Sequence, residues 1–111
     1  MPDAAFYLLA TETVSTKRLP PMVGGKRGAP ALHLAGLSCT PLDPVTENTI
    51  NRLRLNTPHT LRECYMESGD VVKGDLLVLD ERDYPIREVE ARAWPGDGSR
   101  YLHLVVEALE R

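Results

Sequence analysis

Short runs in which apolar and polar residues alternate, separated by clusters of Gly, Pro and Asp, dominate this chain. Alternation with a period of two marks a strand that buries one face. Phe6, Leu8, Ala10 and Val14 share one parity and predict a first strand over 6–15, interrupted by Glu12. A second strand is expected over 32–42, with Gly36 as a bulge or a close backbone approach and Pro41 and Pro44 ending it. Val45, Thr49, Ile50 and Leu53 fall near one helical face behind a cap at Asp43 or Thr46, which predicts a helix of about two turns. Another strand spans 60–67 and stops at Ser68-Gly69-Asp70.

Residues 70–93 organise the rest. Gly74-Asp75 is a turn signal, since Gly accepts positive φ and Asp can hydrogen-bond to its own backbone. Leu76-Leu77-Val78-Leu79 reads as a strand buried on both sides. Asp80-Glu81-Arg82-Asp83 suits a four-residue hairpin loop built on a type I turn, and Tyr84 opens a long strand that runs to Trp94. After the Pro95-Gly96-Asp97-Gly98-Ser99 turn, a last strand over 100–109 places Leu102, Leu104, Val106 and Ala108 inward. Short strands at this spacing predict an all-β chain, a small six- or seven-stranded SH3-like or OB-like β-barrel with one short helix. Closure would remove the open edges that such strands expose.

Between the first two strands, residues 17–30 hold three prolines, three glycines and four basic residues. That density of breakers predicts a long flexible loop. Lys17, Arg18, Lys26 and Arg27 are its charges, and Gly24, Gly25 and Gly28 its hinges. A solvated basic loop is the simpler reading; a contact with DNA backbone or an acidic partner surface is the functional one.

At 111 residues the chain is expected to form one domain, 1–111. A net charge of −3 gives no general pull toward nucleic acid or anionic membrane. No apolar run approaches the roughly 20 residues that span a bilayer. The opening MPDAAFYLLATE lacks a basic n-region and a long enough apolar stretch for a signal peptide, which predicts residence in the cytosol after synthesis. In that reduced compartment Cys39 and Cys64 are expected as buried free thiols rather than a disulfide.

The sequence predicts no enzyme. Cys39 or Cys64 with His33, His59 or His103 would be needed for a nucleophile pair, yet no elbow or helix N-terminus stands beside either Cys to lower its pKa. His33 and His103 alternate along strands, as a solvent-facing or barrel-wall histidine does. No closely spaced Cys, His or carboxylate set marks a metal site, and Asp80, Glu81 and Asp83 lack calcium-loop spacing. Gly24-Gly25-Lys26-Arg27-Gly28 shares only composition with a phosphate-binding loop. No cofactor is expected. Trp94, the single tryptophan, reads as a cap on the core or, more sharply, as an interface anchor.

The order of these pieces resembles the small head–tail connector proteins of tailed bacteriophages, known as head-closure, stopper or head–tail joining proteins. Four features carry the likeness. Thr11-Glu12-Thr13-Val14 runs into a Gly/Pro loop, and Leu37 to Leu42 ends a second strand in prolines. Asp70 to Leu79 follows the pattern D-(I/V)-x-x-G-D-x-L-x-V after a strand, with Leu79 at its final Val. Tyr84 then opens a strand holding Ile86 and Val89, followed by a Gly-rich turn and a last apolar strand. Two departures stand out: the family often has a Gly beside the Tyr, and here Pro85 follows it, which cannot donate to a ladder.

The resemblance implies a virion protein, made in the host cytoplasm, that forms a homo-oligomeric ring, a dodecamer or hexamer, in the neck. The ring would sit between the portal and adaptor and the tail tube or tail-terminator protein. It would close the channel after packaging and offer the tail attachment site. Packaged double-stranded DNA would pass without sequence-specific binding, and no membrane is involved. The 17–30 loop would project into the channel or grip a neighbouring ring. The alternatives are a tail-terminator or minor tail protein of the same virion, or an SH3/OB-like cellular binding module.

Overall fold

The computed structural model describes residues 9–20, 24–25, 28–55, 60–93 and 100–108. Its elements in chain order are β1 (Glu12–Arg18), β2 (Ala31–Cys39), β3 (Asp43–Pro44), α1 (Glu47–Leu53), β4 (Leu61–Glu67), β5 (Leu76–Leu79), β6 (Arg82–Ala93) and β7 (Arg100–Glu107). All pairings are antiparallel, in the order β2-β1-β5-β6-β7-β4-β3. Cys39 of β2 also pairs with Met66 of β4, so the sheet curls round and meets itself. The chain is all-β, as expected, with one short helix among the described residues.

Closure demands that each strand present one face inward. Val14, Met66, Leu77, Ile86, Leu102 and Leu104 do so and form the centre of one apolar core. The ladders carry three irregularities, two between β1 and β2 (the second leaves His33 as an extra residue between Leu32 and Leu34) and one between β6 and β7. Val14 pairs with Leu37 but Thr16 pairs with Leu34, so Ala35 and Gly36 together oppose Ser15. Gly36 takes φ of 70° there, the left-handed region that suits glycine. On β6, Ile86 pairs with Val106 but Glu88 pairs with Val105, which leaves Arg87 as the extra residue. That insertion lets Ile86 and Val89, three apart, both pack on the core.

Several boundaries differ from the sequence reading. The first strand begins at Glu12 and continues through Lys17 and Arg18, which were expected in the loop, because both residues pair with β2 and Lys17 also with β5. Residues 9–11 are not in the strand. β5 buries Leu77 and Leu79 but leaves Leu76 and Val78 half-buried, so it is covered fully on one face only. β7 shows the reverse: His103 and Val105 are buried along with Leu102, Leu104 and Val106. The helix starts after Thr46, whose Oγ1 accepts from Thr49 N at 3.3 Å. Cys39 and Cys64 are buried free thiols.

The β5–β6 turn is tighter than expected. Leu79 pairs with Arg82 and Val78 with Asp83, leaving Asp80 and Glu81 as a two-residue loop. Their φ values of 51° and 64° make a type I′ turn, whose twist matches that of the flanking strands. Pro85 opposes Leu76 on β5, while pairing with β7 starts one residue later at Ile86. Ile86 N donates to Asp75 O at 2.9 Å, toward β5, so the neighbouring Pro85 nitrogen points to the side where no ladder has begun.

The left-handed turn carries strain at Glu81, which lacks both the freedom of Gly and the local hydrogen bonding of Asp. Glu81→Gly is expected to raise stability by about 1 kcal/mol, read as a higher urea midpoint at unchanged slope. A four-residue type I loop would gain nothing from that change.

Candidate interaction site at the root of the 19–30 loop

The loop between β1 and β2 leaves the sheet at Arg18 and returns at Ala31. One residue before its exit, Lys17 pairs with Leu76, so the next ladder position brings Arg18 alongside Asp75. Arg18 Nε donates to Asp75 Oδ1 at 3.0 Å and Nη2 to Asp75 Oδ2 at 2.9 Å, a bidentate fork. Nη1 donates to Asp70 Oδ2 and Nη2 to the Asp70 carbonyl, both at 3.1 Å. Both aspartates of the D-V-V-K-G-D stretch are thus held by one guanidinium.

The turn is built to present them. Asp75 Oδ2 accepts from Val72 N at 3.0 Å, Asp75 N donates to Val72 O, and Gly74 N donates to Ile86 O. Gly74 takes φ of 99°, open only to glycine at no cost. His33 on β2, across the loop root, places Nε2 3.1 Å from Asp70 Oδ2. Beyond it, Lys17 Nζ donates to Asp83 at 3.2 Å, at the rim of a cleft of about 520 Å³ that Arg82, Tyr84, Pro85 and Glu107 also line.

Electrostatics follow the geometry. Asp75 is 3% exposed. Its burial opposes ionisation, and the bonds from Arg18 and Val72 N outweigh it, so the carboxyl stays below the usual range. Arg18, then His33, hold Asp70 low as well. Arg18 itself is pushed further up by Asp75 and Asp70.

This arrangement corrects the expectation for two candidates. Lys17 and Arg18 are strand residues committed to internal ion pairs, not free loop cations. Gly24 and Gly25 form a turn. Gly28 faces Pro20 closely enough that a Cβ there would sit 3.3 Å from Pro20 Cγ, so the two legs of the loop stay together past the strands. Lys26, Arg27 and Trp94 lie outside the described residues, as does His59.

Sequence reasoning missed a second polar cluster. His103 on β7 is fully buried, with Nε2 3.1 Å from Glu63 Oε2 on β4 and Nδ1 3.0 Å from Glu90 Oε1 on β6. Tyr65 stacks on the ring at a centroid distance of 4.8 Å. Arg52 of α1 pairs with the other Glu90 oxygen. Arg52, and then His103, hold the Glu90 carboxyl down at about 2 against the cost of burial. Alternation alone marked His103 as a wall residue; only the ladders, which set it opposite Tyr65 on β4 and Glu90 on β6, bring it to the carboxylates. Elsewhere the hydrogen bond with Cys39, then burial, push the Cys64 thiol well up, the opposite of what a thiolate nucleophile needs. Among the described residues no group of His, Cys, Asp and Glu could hold a metal ion.

No protein-family model, curated protein or solved structure matches this chain.

Arg18→Met would leave the buried Asp75 carboxylate uncompensated and is expected to lower the urea midpoint at neutral pH. Carboxyls held low in the native state stabilise it above their ordinary range, and that gain is lost as pH falls through the native value. For Glu90 the window runs from about 4.5 down to about 2. Wild type is therefore expected to lose more stability on acidification than Arg18→Met, so that their difference narrows. A difference that stays constant with pH would contradict the pairing.

Proposed function

We propose that this chain is a structural subunit of a tailed-bacteriophage neck, assembling as a ring between portal or adaptor and tail. In that role it closes the DNA channel after packaging and offers the tail a docking face. The observation that carries the reading is the union of its two most distinctive sequence features. The D-V-V-K-G-D motif, on which the resemblance to connector proteins rests, supplies the two aspartates that fasten the root of the Gly/Pro-rich loop through Arg18.

A loop that plugs a channel or grips a neighbouring ring needs a fixed base and an adaptable tip. The base is provided by Arg18 and by the close approach of Pro20 and Gly28. The tip holds Val23, Gly24, Gly25, Lys26 and Arg27, with two glycines to let it reorder on assembly. Lys17 and Arg18 are engaged internally, and the reading gives contact with a partner or DNA to Lys26 and Arg27. The net charge of −3 suits a ring through which DNA slides without sticking. The mechanism is steric and conformational, with no chemical step.

Quantitative mass spectrometry of gradient-purified particles from the source is expected to recover the chain at a ratio near that of the portal protein. Deleting residues 23–28 should leave the sheet folded, by circular dichroism, but yield heads that leak DNA or lack tails. Absence of the chain from particles would remove the neck reading, and salt-dependent DNA binding by the isolated chain would then favour an SH3/OB-like module. Normal infectivity of the deletion would overturn the loop's part in it.

A further inference from the structure

The cleft beside Lys17 is also a break in the sheet. β6 pairs with β5 over residues 82–85 but with β7 only from Ile86 onward. β7 runs on past that point along its other edge, where Glu107 pairs with Leu61 and Ala108 N donates to Thr60 O at 2.8 Å. The gap between the two strands is the cleft of about 520 Å³, walled by Asp83, Tyr84 and Pro85 of β6 and by Glu107 at the end of β7.

Alternation fixes which backbone groups face the gap, since successive residues of a strand turn their N–H and C=O to opposite edges. Ile86 N donates to Asp75 O and Ile86 O accepts from Gly74 N, both on the β5 side. Tyr84 and Arg82 share that side, while Asp83 and Pro85 turn the other way, into the gap. Pro85 has no N–H, so Asp83 is the residue that presents both a donor and an acceptor there. On β7 the Ala108 N–H points to β4, which turns the groups of the residue after it toward β6.

Continuing the register past Ile86–Val106 sets Pro85 opposite Glu107, Tyr84 opposite Ala108, Asp83 opposite Leu109 and Arg82 opposite Glu110. Asp83 with Leu109 is then a pair that exchanges two backbone hydrogen bonds. Leu109 falls on the outer side, diagonal to Pro85, and Glu110 meets the exposed Arg82 with opposite charge.

We propose that residues 109–111 occupy this cleft: the chain's own tail prolongs β7, closes the gap to β6 and covers the open edge at Asp83. Three residues of strand span about 10 Å, as far as the three steps from Tyr84 to the hairpin turn at Glu81. Two observations select this occupant. β7 already enters the gap in register with β6, and the charges at 82 and 110 are complementary. An uncovered edge accepts a strand from another chain, and the tail excludes it. The placement concerns a single chain and is independent of the neck reading.

The test is amide hydrogen exchange by NMR on the full chain and on a chain ending at Ala108. Asp83 N–H is expected to be protected in the full chain and to lose that protection roughly tenfold on truncation, as for one backbone hydrogen bond. Cys64 and Leu104, in the β4–β7 ladder, report that the sheet is intact and should keep theirs. In the full chain Arg82→Glu should lower protection at Asp83, and Arg82→Glu with Glu110→Arg should restore it; this pair decides the matter if the truncated chain does not fold. An Asp83 amide that exchanges freely in the full chain, protection unchanged by truncation, or a charge swap that restores nothing would each overturn the proposal. Protection that disappears on dilution would put a second copy in the cleft and overturn it as well.

Discussion

Arg18 gripping Asp75 and Asp70 is the contact on which the arrangement of this sheet depends. β1 and β5 share only three ladder pairs, from Ser15 to Lys17, and β5 is four residues long. So short a ladder specifies register weakly on its own. The guanidinium adds four charge-assisted hydrogen bonds at its end, two of them to the buried Asp75, which has no other ion-pair partner among the described residues. A slip by one residue would strand Asp75 in the interior without a partner, a cost of several kcal/mol. The pin therefore supplies specificity where apolar packing supplies stability, and it joins the 70–75 turn to the loop root in a single rigid unit.

Curvature is the second requirement. A seven-stranded sheet that meets itself at a single pair, Cys39 with Met66, must bend sharply without turning apolar side chains outward. The bulges at Ala35–Gly36 and at Arg87 do this by adding residues to one strand of a pair. Each restores inward parity beyond it, which is why Leu34 and Leu37, three apart, both pack on the core, as Ile86 and Val89 do. The type I′ turn at Asp80–Glu81 adds twist at the hairpin tip, and Pro85 sits where its missing N–H costs no ladder bond.

The outer side of β7 differs in kind from the core. Leu102, Leu104 and Val106 face apolar neighbours, while the buried His103 faces two carboxylates, Glu63 and the half-buried Glu90. Such a cluster is favourable only when every donor and acceptor is matched, a demand that the apolar face does not make. The helix, too short to stand alone, takes part of its seat from that cluster through Arg52.

Much of this was legible along the chain because it is local. The inward parity of 102–106, the Thr46 cap, the bulge at Gly36 and the Gly74-Asp75 turn each follow from residues within a few positions of one another. The all-β class follows from their sum. The limits of β1 and the tight β5–β6 turn were not legible, since Lys17, Arg18, Arg82 and Asp83 are polar and join strands only through partners elsewhere. Arg18 and Asp75 are 57 positions apart, and His103 is 40 from Glu63. Periodicity decides which face a residue takes because a strand repeats every two residues. Which charged side chains meet on that face depends on register and closure, and those are settled only when distant strands pair.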